Sequence, residues 1–312
     1  MSSDILNKVY DLVIVGGGIA GASAAIYAAR AKLSTLVIDK VQNVGTLSVT
    51  DKIANYPGLR ESVTGLELLT RMQVQAKSFG AIFAQSNILT VDFTKETKEI
   101  TVTEGIVKAK SVFIAVGAKT PTNMIKGEEA FLGRGVSYCS TYDPAFYHDK
   151  LVVIIGDTDK VIEETATLSK FCKEVRLLVP RTLHVEAGLA ILEEKRNVVI
   201  LLEHSIKEIK GTNLLEKIVV LNENHEELEW DIDGLILNVG RMKPETDFLK
   251  NSVQRDEEGY IIVDEHLRTN VPGVFAGGDS RHSQIKQPVI SAADGAIAAL
   301  AADGYINRKP QS

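Results

Sequence analysis

The sequence predicts an α/β protein of two domains, the first of them doubly wound around a parallel sheet, and three observations carry this reading. At 312 residues the chain is longer than a single hydrophobic core ordinarily serves. The stretch YDLVIVGGGIAGASAAIYAARAKLSTLVIDK alternates apolar run, glycine turn, alanine-rich run and apolar run. A second apolar run with a helical pattern behind it, KLVVIIGDTDKVIEETATLSKF, lies near the middle of the chain.

The first stretch is justified part by part. Tyr10 to Val15 is the short apolar run of a buried parallel strand. Gly16, Gly18 and Gly21 follow in G-x-G-x-x-G spacing, then the helix ASAAIYAARA and the strand STLVID ending at Asp39. Gly16 permits the turn out of the strand, Gly18 leaves the backbone open to a pyrophosphate, and Gly21 lets the helix approach the sheet. The helix N-terminus offers free amides and a positive dipole end to phosphate. Asp39 is placed to accept hydrogen bonds from ribose hydroxyls. Together these parts predict a dinucleotide site without saying which dinucleotide.

Composition excludes several classes. The chain is 45% hydrophobic and 24% charged, ordinary for a soluble globular protein. A net charge of −6 argues against a nucleic-acid binder held by phosphate contacts. The two cysteines, Cys139 and Cys172, allow one disulfide at most, and no Cys/His spacing suggests a metal. The six histidines are scattered singly. The N-terminus reads without a signal peptide, no apolar run in the sequence reaches membrane-span length, and a cytoplasmic protein is expected.

The C-terminal part narrows the dinucleotide. TNVPGVFAGGDS leads a short apolar piece into Asp279, and RHSQIKQPVISAADGAIAALAADGYI then reads as a loop and an alanine-rich helix. With GGGIAG, the run from Gly45 to Gly58, AVGA at Ala115 to Ala118, and GVSYC-T-D at Gly135 to Asp143, the chain resembles the low-molecular-weight thioredoxin reductases over nearly its full length. The resemblance implies FAD, lined by Gly45, Thr46, Asn55, Asp279 and Gln287. Lys286 stands where the family usually has arginine. Ile19, Ala20, Lys40, Leu47, Ala115, Gly117, Gly278 and Pro288, in the same motifs, complete the expected site. The resemblance also implies two Rossmann-like domains: an FAD domain at about 1–118 and 243–312, with an NADPH-type domain inserted at about 119–242. The ends of that insert are marked by SVFIAVGA and DGLILNVGR, as in a duplicated doubly wound unit. A homodimer paired through the FAD domains follows from the same resemblance.

The inserted fingerprint departs from the family's pattern. Gly156 remains, but Asp157 and Thr158 stand where the family has glycines, and Lys160 and Val161 replace its small Ser-Ala pair. A branched side chain and a carboxylate at this turn both oppose a pyrophosphate. The family's basic grip on a 2′-phosphate becomes Val179, Pro180 and Arg181. NADPH is therefore not expected to bind usefully, and the helix is expected simply to pack on its sheet. These departures look closest to the deeply rooted and ferredoxin-type reductases that do not use pyridine nucleotides.

The redox motif departs too. In the resemblance Cys139 matches the outward, attacking thiol and Asp143 the proton-handling acid, but Tyr142 replaces the flavin-side thiol. A thiol–disulfide relay needs two sulfurs, and Cys172 reads as a buried or helix-end thiol. Tyr142 would stack on a flavin or simply pack in a turn. Three functions stand: an FAD oxidoreductase exchanging electrons with ferredoxin or a similar carrier; a non-catalytic flavoprotein, either a regulatory homologue or a partner that binds a thioredoxin-like protein or a complete reductase; and an atypical NADPH-dependent thioredoxin-disulfide reductase.

Overall fold

The computed structural model describes residue 1 and residues 3–41, 47, 50, 52–119, 125–138, 147–156, 158–180, 186–238, 242–283 and 285–307. In chain order the first elements are α1 (Ser3–Leu6), β1 (Val9–Val15), α2 (Ile19–Arg30), β2 (Thr35–Asp39), α3 (Gly65–Ser78), β3 (Ile82–Gln85), β4 (Ile88–Asp92), β5 (Lys98–Val102), β6 (Gly105–Ile114) and β7 (Ala118–Lys119). Then come α4 (Glu128–Phe131), β8 (Val136–Ser137), β9 (Leu151–Gly156), α5 (Asp159–Leu168), β10 (Glu174–Val179), α6 (Glu186–Glu193), β11 (Val198–Leu202), β12 (Ser205–Gly211), β13 (Leu215–Leu221), β14 (Glu227–Asp231) and β15 (Gly234–Asn238). The chain closes with β16 (Lys243–Pro244), β17 (Val274–Ala276) and α7 (Pro288–Asn307). Residues 1–52, 56–119 and 242–312 form one compact unit, and 53–55 and 120–241 a second.

The first unit holds a seven-stranded sheet in the order β3-β2-β1-β6-β5-β4, with β17 also on β6. β1, β2, β3, β6 and β17 run parallel to one another, while β5 pairs antiparallel with β6 and β4 antiparallel with β5. The second unit holds a parallel sheet in the order β11-β10-β9-β15-β8 and an antiparallel meander β12-β13-β14. Each unit thus repeats one plan, third strand, second, first, last, as the strand-glycine-helix repeat in the sequence implies.

The sequence explains the elements that frame the first sheet's C-terminal edge. In β1, Leu12 to Val15 are buried without alternation, as a strand covered on both faces requires. α2 starts three residues before the alanine run proper, directly after Gly18, because its first turn takes in Ile19, Ala20 and Gly21. Nearly all of it is buried, so its small side chains serve close packing on both sides. α3 is capped by Thr64, whose hydroxyl accepts the Glu67 amide at 3.1 Å. Leu68, Leu69, Met72, Gln73 and Ala76 form its inner face.

By length and composition α7 would suffice to cross a membrane. Here it lies along α2, where Ser23 Oγ donates to the Ala292 carbonyl at 2.6 Å and a Cβ on Gly295 would come within 2.1 Å of the Ala20 carbonyl oxygen. Its buried Asp294 is paired with Arg281.

Candidate dinucleotide site

Four parallel strand ends stand in a row at one edge of the first sheet. Val15 is level with Ile38 and with Ile114, and Ile114 with Ala276. The ladder runs one step beyond the strands: Gly16 N donates to Ile38 O at 2.8 Å, Ala115 N to Val15 O at 2.7 Å, and Gly277 N to Ile114 O at 3.0 Å. The carboxyl edge of such a sheet is where open α/β folds bind ligands. Gly16, Asp39, Ala115 and the turn Gly278–Ser280, though far apart along the chain, are adjacent here because register makes them so.

Each fingerprint glycine has its own reason. Gly16 has φ +104°, and a Cβ there would lie 2.3 Å from the Ala115 carbonyl oxygen. A Cβ on Gly21 would lie 1.9 Å from Gly16 O, so the helix can rest on the turn only without one. Gly18 is different: a Cβ there meets nothing within 4 Å. It leaves open space at the N-cap of α2, where first-turn amides have no partner inside the helix. That vacancy for a side chain, at a helix start, fits a pyrophosphate.

Gly17 is held from two sides. Its amide donates to Asp39 Oδ2 at 2.6 Å, and its carbonyl accepts from Gln73 Nε2 at 3.1 Å. Burial raises the Asp39 carboxyl above its ordinary range, against the opposing pull of the Gly17, Val41 and Lys40 amides. Gln73 was not foreseen from the sequence; the signal was a polar residue within the apolar stripe of α3.

The segment carrying Asp279 is braced as well. Gly278 has φ +64°, and its amide donates to Asp294 Oδ2 at 2.8 Å. Arg281 grips the same carboxylate through Nε at 2.7 Å and Nη2 at 3.1 Å. Lys286 Nζ donates to the Asp279 carbonyl at 3.0 Å. Gln287 stands just before α7 and accepts the Ser291 amide, and Pro288 takes the first helical position.

The remaining expected residues divide. Ile19 and Ala20 are buried in the first turn of α2, Lys40 is exposed, and Gly117 follows β6 with φ +70°. The Leu47 carbonyl accepts from Thr50 N at 3.0 Å beside the start of α3. Asn55 groups with the second unit and is exposed. Gly45, Thr46, Cys139, Tyr142 and Asp143 lie outside the described residues, as do Asp157 and Arg181.

In the second unit α5 begins three residues after Gly156, as α2 begins three after Gly16, so Thr158 and Val161 occupy the places of Gly18 and Gly21. Thr158 caps the helix without a side-chain bond. Val161 is buried, and a Cβ on Gly156 would meet its Cγ2 at 3.1 Å and the Asn238 carbonyl oxygen at 2.8 Å. Gly156 is accounted for by packing alone. Cys172 is buried, and burial pushes its thiol up to about 11. Tyr138, next to Cys139, donates its hydroxyl to the buried Glu128, and burial with that carboxylate raises the phenol far above its ordinary value. Among the described residues no group of acidic, histidine and cysteine side chains would hold a metal.

Comparison with known proteins places this geometry. Residues 10–298 match the family model of the pyridine nucleotide-disulphide oxidoreductases. The thioredoxin reductase of Aquifex aeolicus is 42% identical over 97% of this chain and 95% of its own length. A 34.2 kDa protein in the rubredoxin operon of Clostridium pasteurianum is 36% identical over 97% of this chain and 99% of its own. The solved thioredoxin reductase of Streptococcus pyogenes superposes with a TM-score of 0.91 at 32% identity, covering 96% of this chain and 98% of that one. The dinucleotide cofactor of the thioredoxin reductases is FAD, and the open Gly18 turn, Asp39 and the braced Asp279 segment fit it. The chain belongs to the pyridine nucleotide-disulphide oxidoreductase family, as a thioredoxin-reductase-like flavoprotein.

Proposed function

We propose that this protein is an FAD-dependent oxidoreductase that works without NADPH and without a dithiol relay, exchanging electrons with a small carrier such as ferredoxin. Residues 1–118 and 243–312 serve as the FAD domain, and 119–242 as an NADPH-type domain that has lost its nucleotide. The contrast between the two helix starts carries the reading: Gly18 is open, whereas Thr158 adds a branched side chain at the equivalent place and Val161 fills the seam behind it. Bound FAD supplies chemistry that accepts electrons singly or in pairs. The chain's part is to receive its phosphates at the start of α2, its ribose at Asp39 and its flavin end beside Asp279. The clostridial relative's place in a rubredoxin operon supports a one-electron carrier as partner.

One observation favours a non-catalytic binding homologue instead. With Tyr142 in the second thiol's place and Cys172 buried, no second sulfur stands ready for a thioredoxin disulfide. An anaerobic visible spectrum separates the readings. Bleaching of the flavin by reduced ferredoxin, with none by NADPH, is expected. Bleaching by NADPH, coupled to thioredoxin reduction, would instead make this an atypical thioredoxin-disulfide reductase. A flavin that dithionite alone reduces would leave the binding role.

A cytoplasmic homodimer is part of this proposal. Val289, Ala293, Ile297, Leu300 and Gly304 form an exposed apolar stripe along α7, with Leu300 59% exposed, and a second copy would cover it. Leu300→Lys should then shift the chain from dimer to monomer in sedimentation.

A further inference from the structure

We infer that Tyr260 is a positioning residue of the FAD site, acting through Lys286; the inference rests on the reading that the first unit takes FAD. Lys286 Nζ stands 4.3 Å from the centroid of the Tyr260 ring and donates to the Asp279 carbonyl at 3.0 Å. A cation over an aromatic face is attracted by the ring's quadrupole. The ammonium is therefore held by its own chain against a ring and a carbonyl oxygen.

The ring itself is fixed. Tyr260 is 8% exposed, and its hydroxyl donates to the Met242 carbonyl at 2.5 Å. Its amide donates to Asp256 Oδ1 at 2.8 Å, and the other oxygen of Asp256 meets His282 Nδ1 at 2.8 Å. Tyr260 is thus tied to a turn that also grips the segment carrying Asp279, three residues before His282. A lysine is a flexible point charge where the family's usual arginine is planar. The Tyr260 face removes that freedom and delivers a preorganised cation and a fixed Asp279 carbonyl to the cofactor.

The two ends of Tyr260 separate under mutation. The hydroxyl serves the fold through Met242, while the ring serves Lys286. FAD affinity, measured by titrating flavin into the full-length chain after its own flavin is stripped, should fall roughly tenfold in Tyr260→Leu and in Lys286→Met. Tyr260→Phe keeps the ring and should bind FAD as the native chain does, although it melts at lower temperature. The double variant Tyr260→Leu with Lys286→Met should bind no worse than either single one, because both remove the same interaction. Additive losses, or an undiminished affinity in Lys286→Met, would overturn the inference; Lys286→Met reads this even if Tyr260→Leu fails to fold. A native chain that binds no FAD at all would remove the cofactor reading with it, a result distinct from both.

Discussion

Asp39 and Gly17 are tied directly: the Gly17 amide donates to Asp39 Oδ2 at 2.6 Å, joining the end of β2 to the glycine turn after β1. The acid expected to hold a ribose therefore also shapes the turn expected to hold the phosphates. Burial raises its carboxyl, and the folded protein consequently binds that proton more tightly than the unfolded chain. The contribution to stability is fully present below the unfolded pKa and declines as pH rises through the folded one.

Asp39→Asn should separate these roles. The amide oxygen still accepts from Gly17, and no buried charge remains. The flavin-free variant should be at least as stable as the native chain near pH 7, with a flatter stability profile through the acid range of about pH 3–6. Its FAD affinity should drop by roughly tenfold or more, since a charged acceptor is lost. Thermal melts across pH and a flavin titration read both. Unchanged FAD affinity would remove Asp39 from the cofactor site.

Asp294 should be the most costly single change in the first unit. It is 4% exposed and holds both Arg281 and the Gly278 amide. Asp294→Ala leaves a guanidinium and an amide without this carboxylate and should cost about 3–5 kcal/mol. Denaturant unfolding followed by flavin fluorescence would measure it. Adding Arg281→Met should recover part of the loss, and a loss below roughly 1 kcal/mol would mean the pair is incidental.

The second helix start makes a gain-of-function prediction. Asp157→Gly, Thr158→Gly and Val161→Ala together restore a small-residue turn. The triple variant should acquire NADPH binding detectable by fluorescence titration. It should also lose roughly 2 kcal/mol of stability from the Val161 methyls removed from the core. Equal NADPH binding by the unmodified chain would refute the blockage.

Cys172 should be chemically silent. With its thiol pushed up to about 11, roughly one molecule in a thousand is thiolate at about pH 8. Iodoacetamide should leave it unmodified in the native protein and alkylate it after denaturation, as read by mass spectrometry. A native disulfide found between Cys172 and Cys139 would restore a two-sulfur relay and contradict this account.

What the sequence determined by itself was local. The turn at Gly16, the α2 start at Gly18, the acid at Asp39 and the altered turn at Thr158 are legible because each depends on neighbours within a few residues, through backbone conformation and hydrophobic period. The tertiary structure alone decided which distant residues share the site. Gln73 reaches Gly17 across 56 positions and Ser23 reaches Ala292 across 269. The clasp of Lys286 by Tyr260 and the bonding of Gly278 and Arg281 to Asp294 are equally invisible in spacing. The physical reason is strand register: parallel pairing sets Ile38, Val15, Ile114 and Ala276 level, and whatever follows each strand is then brought together. Val161 shows the same division, since its substitution for a small residue is plain in the sequence, but only packing against Gly156 shows that its side chain fills the seam.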